Sequence, residues 1–317
     1  MDYTAILKRG LDITIKHKAL WVFGFLVALT EATSSINARI PRFTEFVKPE
    51  ALSRTQAMML GYVTVLLCCL VLFIALILTV LSYIGHTALI GMVKEIEGGG
   101  TPGVRGGFQE GFSREAFKLF LLDLMLGIPL SIIAIGGLAV VAGPFLLGLL
   151  VERKPAFVGG ILVSGVLFLG FVLVMMVLSA AARFLATFAW RECVIGKKGL
   201  VESLTGGFRV IRNNLKDAGI MWLLLLGIGI GWGLVSLPLN FILLFIAVGG
   251  GGTVWAFFHL LKLRVISWIA GGLVGMVLLV IPSAFINGLY QVFTSSTWTL
   301  TYLELMGRGQ NPGGYPS

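Results

Sequence analysis

Residues 58–93 read MMLGYVTVLLCCLVLFIALILTVLSYIGHTALIGMV, and this stretch decides the fold class because it contains no Asp, Glu, Lys or Arg. A helix needs about 20 predominantly apolar residues to cross a bilayer. An apolar surface of this size is unfavourable in water, whereas lipid solvates it. The stretch therefore predicts a membrane-spanning helix. It is longer than a straight span needs, so we expect it to tilt, kink or project beyond the bilayer.

The rest of the chain repeats this apolar character. Its 317 residues are 57% hydrophobic and 12% charged, whereas soluble domains carry about 25% charged residues. We predict an all-α integral membrane protein with six transmembrane helices arranged as three tandem helix hairpins, each preceded by an amphipathic interfacial helix. The apolar stretches lie near 19–36, 58–93, 117–150, 156–190, 218–247 and 267–302.

Similar landmarks open and close each predicted hairpin, which indicates an internal repeat. Arg9-Gly10-Leu11 opens the first copy, and the Gly-Gly-Phe triplets at 106–108 and 206–208 open the others. A Glu followed by glycines closes each copy. The alternative is that any six-helix protein has glycines and basic residues in its loops. We predict a single transmembrane domain over 1–306, with units at about 3–99, 105–199 and 206–306, and a disordered tail over 307–317.

The polar openings of the copies have the spacing of amphipathic helices. In residues 3–18 and 203–217, apolar side chains recur at i, i+3 and i+4, and basic side chains occupy the other positions. We expect these helices to lie in the membrane interface. An ordinary amphipathic connector with no membrane role is the alternative.

The distribution of basic residues predicts the orientation. Most of the 24 Lys and Arg residues lie at the termini and between the hairpins, which favours cytoplasmic N- and C-termini in the plasma membrane. The formal charge of +9 suits anionic lipid headgroups there and is not interpreted as a nucleic-acid signal. A membrane-protein partner or a second copy of the chain remains open.

The predicted external side has three unequal parts. They are a polar loop near 37–57, a tight turn over 151–155, and the glycines of 249–252 followed by an aromatic and basic segment, 254–266. That last segment either lies flat in the outer interface, where aromatic residues collect, or forms a re-entrant segment.

Ionisable residues inside spans are the first candidates for function because burying charge in lipid is costly. Asp123 lies near the start of the third span and Arg183 near the end of the fourth. The two spans form a predicted hairpin, so we expect Asp123 and Arg183 to pair directly or through water. His86 takes the place of Arg183 in the first copy. The pair would couple a proton or ion to movement, or act only as a structural salt bridge.

Other polar residues fall within spans or next to them. Asn240, Asn287 and Gln291 are mid-span, where interhelical hydrogen bonds or a substrate pathway are the alternatives. Candidates for anchoring the interfacial helices by ion pairs are Glu95, Glu192, Glu304, Arg209, Arg212 and Lys216. The alternative for the three Glu residues is that they are solvated loop carboxylates.

Motifs of catalysis are missing from the sequence. It contains no HExxH, GxSxG or Walker motif and no pair of intramembrane aspartates of the aspartyl-protease kind. The three Cys residues show no disulfide framework or metal-ligand spacing. We predict no enzymatic activity, no cofactor and no metal.

Short motifs carry a family resemblance. Leu20-Trp21-Val22-Phe23-Gly24, the segment from Gly207 to Asn214, and Ser296 to Tyr302 resemble a broad group of uncharacterised prokaryotic six-helix membrane proteins. That group is similar to the membrane domain fused to some bacterial glycerophosphodiester phosphodiesterases. The phosphodiesterase domain is not in this sequence, so the resemblance implies a prokaryotic plasma membrane and no reaction.

Two functions compete on this evidence. A non-enzymatic scaffold or accessory protein with lipid-interacting interfacial helices fits the lack of catalytic motifs. A transporter or channel for a small or lipid-like solute fits the repeats and the mid-span polar residues. A continuous polar stripe would favour transport, but the polar residues in the spans are scattered, so we prefer the scaffold.

Overall fold

The structure is a computed structural model that describes residues 1–36, 54–151 and 154–310. Within these residues every regular element is an α-helix and none is a strand. In chain order the helices are α1 (Tyr3–Lys16), α2 (Ala19–Ile36), α3 (Arg54–Glu97), α4 (Val104–Gly111), α5 (Arg114–Leu150), α6 (Lys154–Gly196), α7 (Leu200–Asn213), α8 (Leu215–Leu260) and α9 (Arg264–Gln310).

The long helices α3, α5, α6, α8 and α9 each contain a segment long and apolar enough to cross a membrane. A sixth span is counted if α1 and α2, which are bent by 99° at the break between them, are taken together. The prediction of a multi-pass, all-helical membrane protein is therefore confirmed, with five or six spans. Glu31, Thr33, Ser34 and Ser35 interrupt the apolar run of α2, so α2 alone is short for a membrane span.

The glycines at 249–252 were predicted to be a loop, and this prediction is wrong because they lie inside α8. A Cβ added at Gly251 would lie 2.6 Å from the Gly271 carbonyl oxygen of α9, so the glycine permits close approach of two helices. In the segment 254–266, α8 continues to Leu260 and a short turn leads into α9, which begins at Arg264.

Other predicted boundaries compare as follows. Helix α9 extends to Gln310, beyond the predicted end of the transmembrane domain at 306. The predicted loop near 37–57 lies outside the described residues over 37–53, as do residues 152–153 of the predicted turn and 311–317 of the predicted tail.

The chain divides into two compact units. The first contains Met1–Ala116 and Lys216–Glu304, and the second contains Phe117–Leu215 and the chain from Leu305. The buried core of the first unit forms where α1, α2, α3 and α9 meet. Its members are Ile13, Leu20, Phe23, Val27, Ala88, Leu89, Met92, Val93, Ile96, Val292 and Leu300.

Helix α1 is defined at both ends by side chains. It begins because the Asp2 carboxylate accepts hydrogen bonds from the backbone N–H groups of Thr4 (3.1 Å) and Ala5 (3.0 Å), the N-cap arrangement. Beyond its end, the indole N–H of Trp21 in α2 donates to the Thr14 carbonyl oxygen over 2.7 Å. This bond ties α2 back to α1 across the bend.

The short helices α1, α4 and α7 each pack through a glycine against a longer helix. A Cβ added at Gly10 of α1 would lie 2.5 Å from Thr297 Oγ1 of α9. One added at Gly107 of α4 would lie 2.6 Å from Met92 Sδ of α3. Because real Cβ contacts are longer than this, only glycine allows the observed distances.

Candidate functional site

Asp123 has a partner that the sequence analysis did not consider. The indole N–H of Trp190 in α6 donates to Asp123 Oδ1 in α5 over 3.0 Å. Arg183 is exposed, and no ion pair joins it to Asp123 among the described residues. Arg183 and Trp190 are seven residues apart, which is about 10 Å along a helix. The structure therefore does not bring Asp123 and Arg183 together. His86 is partly buried in α3.

The mid-span amides make helix–helix and helix-internal hydrogen bonds. Asn240 in α8 accepts from the Ser283 hydroxyl of α9 at Oδ1 over 2.9 Å. Its Nδ2 donates to the carbonyl oxygen of Ser236 (2.9 Å), and Asn287 Nδ2 donates to that of Ser283 (2.9 Å). Gln291 is partly buried. Asn240 thus forms an interhelical hydrogen bond, which was one of the two alternatives, whereas the bond of Asn287 lies within α9.

The three closing Glu residues differ from one another. Glu192 is buried, with 2% of its side chain exposed, and its Oε2 lies 2.5 Å from Lys198 Nζ. Glu95 and Glu304 are exposed. Glu192 thus pairs with Lys198 of the connection to α7, whereas the predicted partners were basic residues of the short helices, with solvation as the alternative. Lys216, at the start of α8, is exposed.

Helix α1 is held by a different set of polar contacts. Arg9 Nε donates to Glu97 Oε1 at the end of α3 over 3.0 Å. The Tyr3 hydroxyl donates to Asp217 Oδ1 at the start of α8 over 2.6 Å. Neither contact was predicted from the sequence. A usable signal was present for Arg9 and Glu97, because they carry opposite charges and the predicted hairpins place both on the same side of the membrane.

Helix α7 packs on α6 through a narrow strip of small and apolar residues. Gly207 lies closest, and a Cβ added there would be 2.8 Å from the Ala189 backbone nitrogen. The buried residues recur at i, i+4, i+7 and i+8, which places them on one face of the helix. They are Ser203, Gly207, Val210 and Ile211.

Beside this strip lies an open groove with a volume of about 570 Å³. One lining residue, Leu185, belongs to α6, and the others come from two neighbouring rows of α7. We refer to it as the α7 groove. It is lined by Leu185, Leu204, Thr205, Phe208, Arg209, Arg212 and Asn213.

The α7 groove combines positive charge with apolar surface. Arg209 and Arg212 are both exposed, and neither forms an ion pair with a carboxylate in the part of the chain that the structure describes. The nearest acidic residue along α7 is Glu202, which accepts a hydrogen bond from the Gly199 N–H (3.3 Å). Phe208 is 56% exposed. The groove therefore offers two free guanidinium groups beside an aromatic ring.

Among the described residues, no group of three His, Cys, Asp or Glu side chains is placed to hold a metal ion. The two histidines of the long helices, His86 in α3 and His259 in α8, lie on different elements. His259 stacks on Trp255 of its own helix, with ring centroids 4.8 Å apart.

No protein-family model, curated protein or solved structure matches the chain.

Proposed function

We propose that this chain is a non-enzymatic integral membrane scaffold or accessory protein whose short helices lie in the lipid interface. One observation carries the proposal: the short helices expose apolar side chains beside basic ones. In α1, Leu11 is 51% and Ile15 is 59% exposed, and Lys8 and Arg9 are exposed on the same helix. Such a surface is favourable at the boundary between headgroups and acyl chains.

The other short helices have the same character. Phe112, directly after α4, is 69% exposed, and Phe208 of α7 is 56% exposed. Arg105 of α4 and Arg209 of α7 are exposed on these helices. Basic side chains at the interface are attracted to anionic headgroups, by about 1 kcal/mol each near the surface. We therefore propose anionic lipids as the partners, on the cytoplasmic side of a prokaryotic plasma membrane.

The mid-span polar residues support the scaffold over a transporter. Asn240 and Ser283 bond to each other, and Asn287 bonds to a carbonyl oxygen of its own helix. These bonds commit one N–H of each amide, and the oxygen of Asn240, to contacts within the protein. Interhelical hydrogen bonds of this kind are worth on average about 0.6 kcal/mol in membrane proteins, which is an ordinary packing contribution.

The glycine contacts also support a three-copy organisation. Gly107 meets Met92 and Gly207 meets Ala189, in each case three residues before a closing Glu. Gly10 meets Thr297, which lies seven residues before Glu304. We propose that each short helix docks on the closing helix of another copy. If the three contacts are aligned, the residue three positions after Thr297 is Leu300. Leu300, and not Glu304, then corresponds to Glu95 and Glu192.

Spin labels that report depth would test the interfacial placement. In a variant without the native cysteines Cys68, Cys69 and Cys193, single labels at Leu11, Phe112 and Phe208 are compared with reference labels at Leu169 and Thr101. Leu169 is an exposed apolar residue of α6, and Thr101 is an exposed residue between α3 and α4. We expect the three labels to report a depth between the references. Depths equal to that of Thr101 would contradict the proposal.

A flux measurement separates the scaffold from a transporter. Protein reconstituted into liposomes is tested for ion conductance and for permeation of small neutral and charged solutes. We expect no flux above that of protein-free liposomes. A saturable flux that is lost in Asn240→Ala or Asn287→Ala would replace the scaffold by a transporter.

A further inference from the structure

We propose that the α7 groove is a binding site for the phosphate of an anionic phospholipid, with the lipid's apolar part against Phe208 and Leu204. The inference rests on the proposed interfacial placement of α7 and goes beyond it. A general interfacial helix needs only diffuse positive charge, whereas a lipid site needs converging donors at a fixed place.

The donors are Arg209 and Arg212. They lie three residues apart on one helix, so their side chains leave the same face of α7. Guanidinium groups match phosphate oxygens in a bidentate manner. Because no described carboxylate neutralises either arginine, both are available to an anion. The amide of Asn213, which lines the same groove, adds a neutral donor.

The apolar part of the groove distinguishes a lipid from a free phosphate ion. Leu185 of α6 and Leu204 and Phe208 of α7 line the groove together with the arginines. A free phosphate gains nothing from contact with these side chains. A molecule with a phosphate at one end and hydrocarbon at the other fits both parts of the groove.

The arginine pair is not a requirement of the short-helix packing. With Gly10, Gly107 and Gly207 aligned, the positions of Arg209 and Arg212 correspond to Asp12 and Ile15 in α1. In the second copy they correspond to Gln109 of α4 and to Phe112, directly after α4. The three helices dock by glycine without a shared arginine pair, so these arginines are free to serve a ligand.

Native mass spectrometry of the purified full chain in a mild detergent would test the site. The wild type is titrated with palmitoyl-oleoyl phosphatidylglycerol and separately with the matching phosphatidylcholine. We expect a discrete first phosphatidylglycerol adduct at concentrations where phosphatidylcholine gives none. In Arg209→Gln/Arg212→Gln we expect the affinity for that adduct to fall at least about tenfold, which corresponds to about 1.4 kcal/mol.

The matched control is Arg114→Gln/Arg183→Gln. It removes the same two charges from exposed arginines of α5 and α6 that do not line the groove, and we expect wild-type binding. Equal losses in both double variants would show diffuse attraction and overturn the site, as would undiminished binding in Arg209→Gln/Arg212→Gln. Displacement of the adduct by millimolar inorganic phosphate alone would overturn the lipid assignment in favour of a free-phosphate site.

Folding and interfacial placement are measured separately. Cys193 is buried, so its protection from maleimide in a Cys68→Ala/Cys69→Ala background reports that α6 and α7 are packed. The depth of the Phe208 label reports the interface. If the label keeps its depth in Arg209→Gln/Arg212→Gln, and the same double variant without a label binds lipid like wild type, only the groove is disproved. A Phe208 label at the depth of the Thr101 reference, with both arginines present, would disprove the proposed function itself.

Discussion

Gly207 of α7 lies directly against the backbone of Ala189 of α6. A Cβ added at Gly207 would be 2.8 Å from the Ala189 nitrogen and 3.0 Å from its Cα. The neighbouring atoms are backbone, so they cannot move aside as a side chain could. This contact holds the α7 groove beside α6, because Ser203, Val210 and Ile211 are buried on the same face of α7.

Gly207→Ala is therefore expected to destabilise the packing of α7 on α6. An added methyl group in a filled interface costs about 1–3 kcal/mol, which exceeds the roughly 0.5–1 kcal/mol that alanine gains over glycine in a helix. The measurement is the rate of maleimide labelling at the buried Cys193 in a Cys68→Ala/Cys69→Ala background. We expect faster labelling and a lower melting temperature.

Gly106→Ala is the matched control for this change. Gly106 belongs to α4, and an added Cβ there would meet nothing within 4 Å. The propensity gain is then unopposed, so we expect unchanged or slightly raised stability. Similar destabilisation in both variants would mean that the close contact at Gly207 is not the cause.

Breaking the ion pair of the buried Glu192 should lower stability much more than breaking the ion pair of the exposed Arg9. Glu192 has 2% of its side chain exposed beside Lys198, whereas Arg9 and Glu97 are 50% and 30% exposed. Removing the partner of a buried carboxylate costs about 1–3 kcal/mol or more. An exposed pair contributes about 0–1 kcal/mol. We expect Lys198→Met to lower the melting temperature clearly and Arg9→Met to change it little.

Neutralising the carboxylate checks the cause of that loss. Glu192→Gln removes the buried charge that Lys198→Met leaves behind. The double variant Glu192→Gln/Lys198→Met should therefore be more stable than Lys198→Met alone. A double variant as unstable as the sum of the two single variants would indicate that the ion pair is not what connects these residues.

The membrane class was predictable because it depends on long apolar runs. Each run favours transfer into lipid wherever it occurs in the chain. Helix ends and contacts were harder. The glycines at 249–252 have the composition of a loop, yet they lie in α8. Glycine is needed at 251 because Gly271 of α9 approaches it closely. Glycine occurs both in loops and where two helices approach closely, and only the packed structure distinguishes these two cases.

The partner of Asp123 shows a second limit. Opposite charge pointed to Arg183, and counting from the helix ends gave the two residues the same predicted depth. Trp190, seven residues later, lies on nearly the same face of α6 as Arg183 and donates to Asp123 over 3.0 Å. Sequence spacing fixes the face of a helix well, but it does not fix how far one helix slides along another.

Trp190→Phe tests this contact. Phenylalanine keeps most of the ring volume but removes the N–H donor to Asp123, which should cost about 1–2 kcal/mol. The control is Trp222→Phe in α8, whose side chain is 37% exposed. Arg183→Gln should leave the melting temperature unchanged, because Arg183 forms no ion pair with a described carboxylate. A large loss in Arg183→Gln and none in Trp190→Phe would restore the Asp123–Arg183 pairing.

Asp2 makes the start of α1 sensitive to pH. The backbone hydrogen bond from Ala5, followed by the Thr4 hydroxyl, lowers the pKa of the Asp2 carboxyl below its ordinary value of 3.8. The pKa is lower in the folded helix than in the unfolded chain, so the ionised carboxylate stabilises the cap. That stabilisation is fully present above the unfolded pKa and is lost as the pH falls through the folded pKa.

Amide hydrogen exchange in the first turn of α1 measures this effect, with each variant compared at the same pH. Asp2→Asn keeps a side-chain oxygen that accepts from Thr4 and Ala5 but does not titrate, so its first turn should stay equally protected as the pH is lowered. The wild type should match it at neutral pH and lose protection only in acid. Asp2→Ala should be less protected at every pH, because alanine leaves the N–H groups uncapped. Equal protection of wild type and Asp2→Ala at neutral pH would show that the cap does not hold α1, leaving the contacts of Gly10 and Tyr3 to do so.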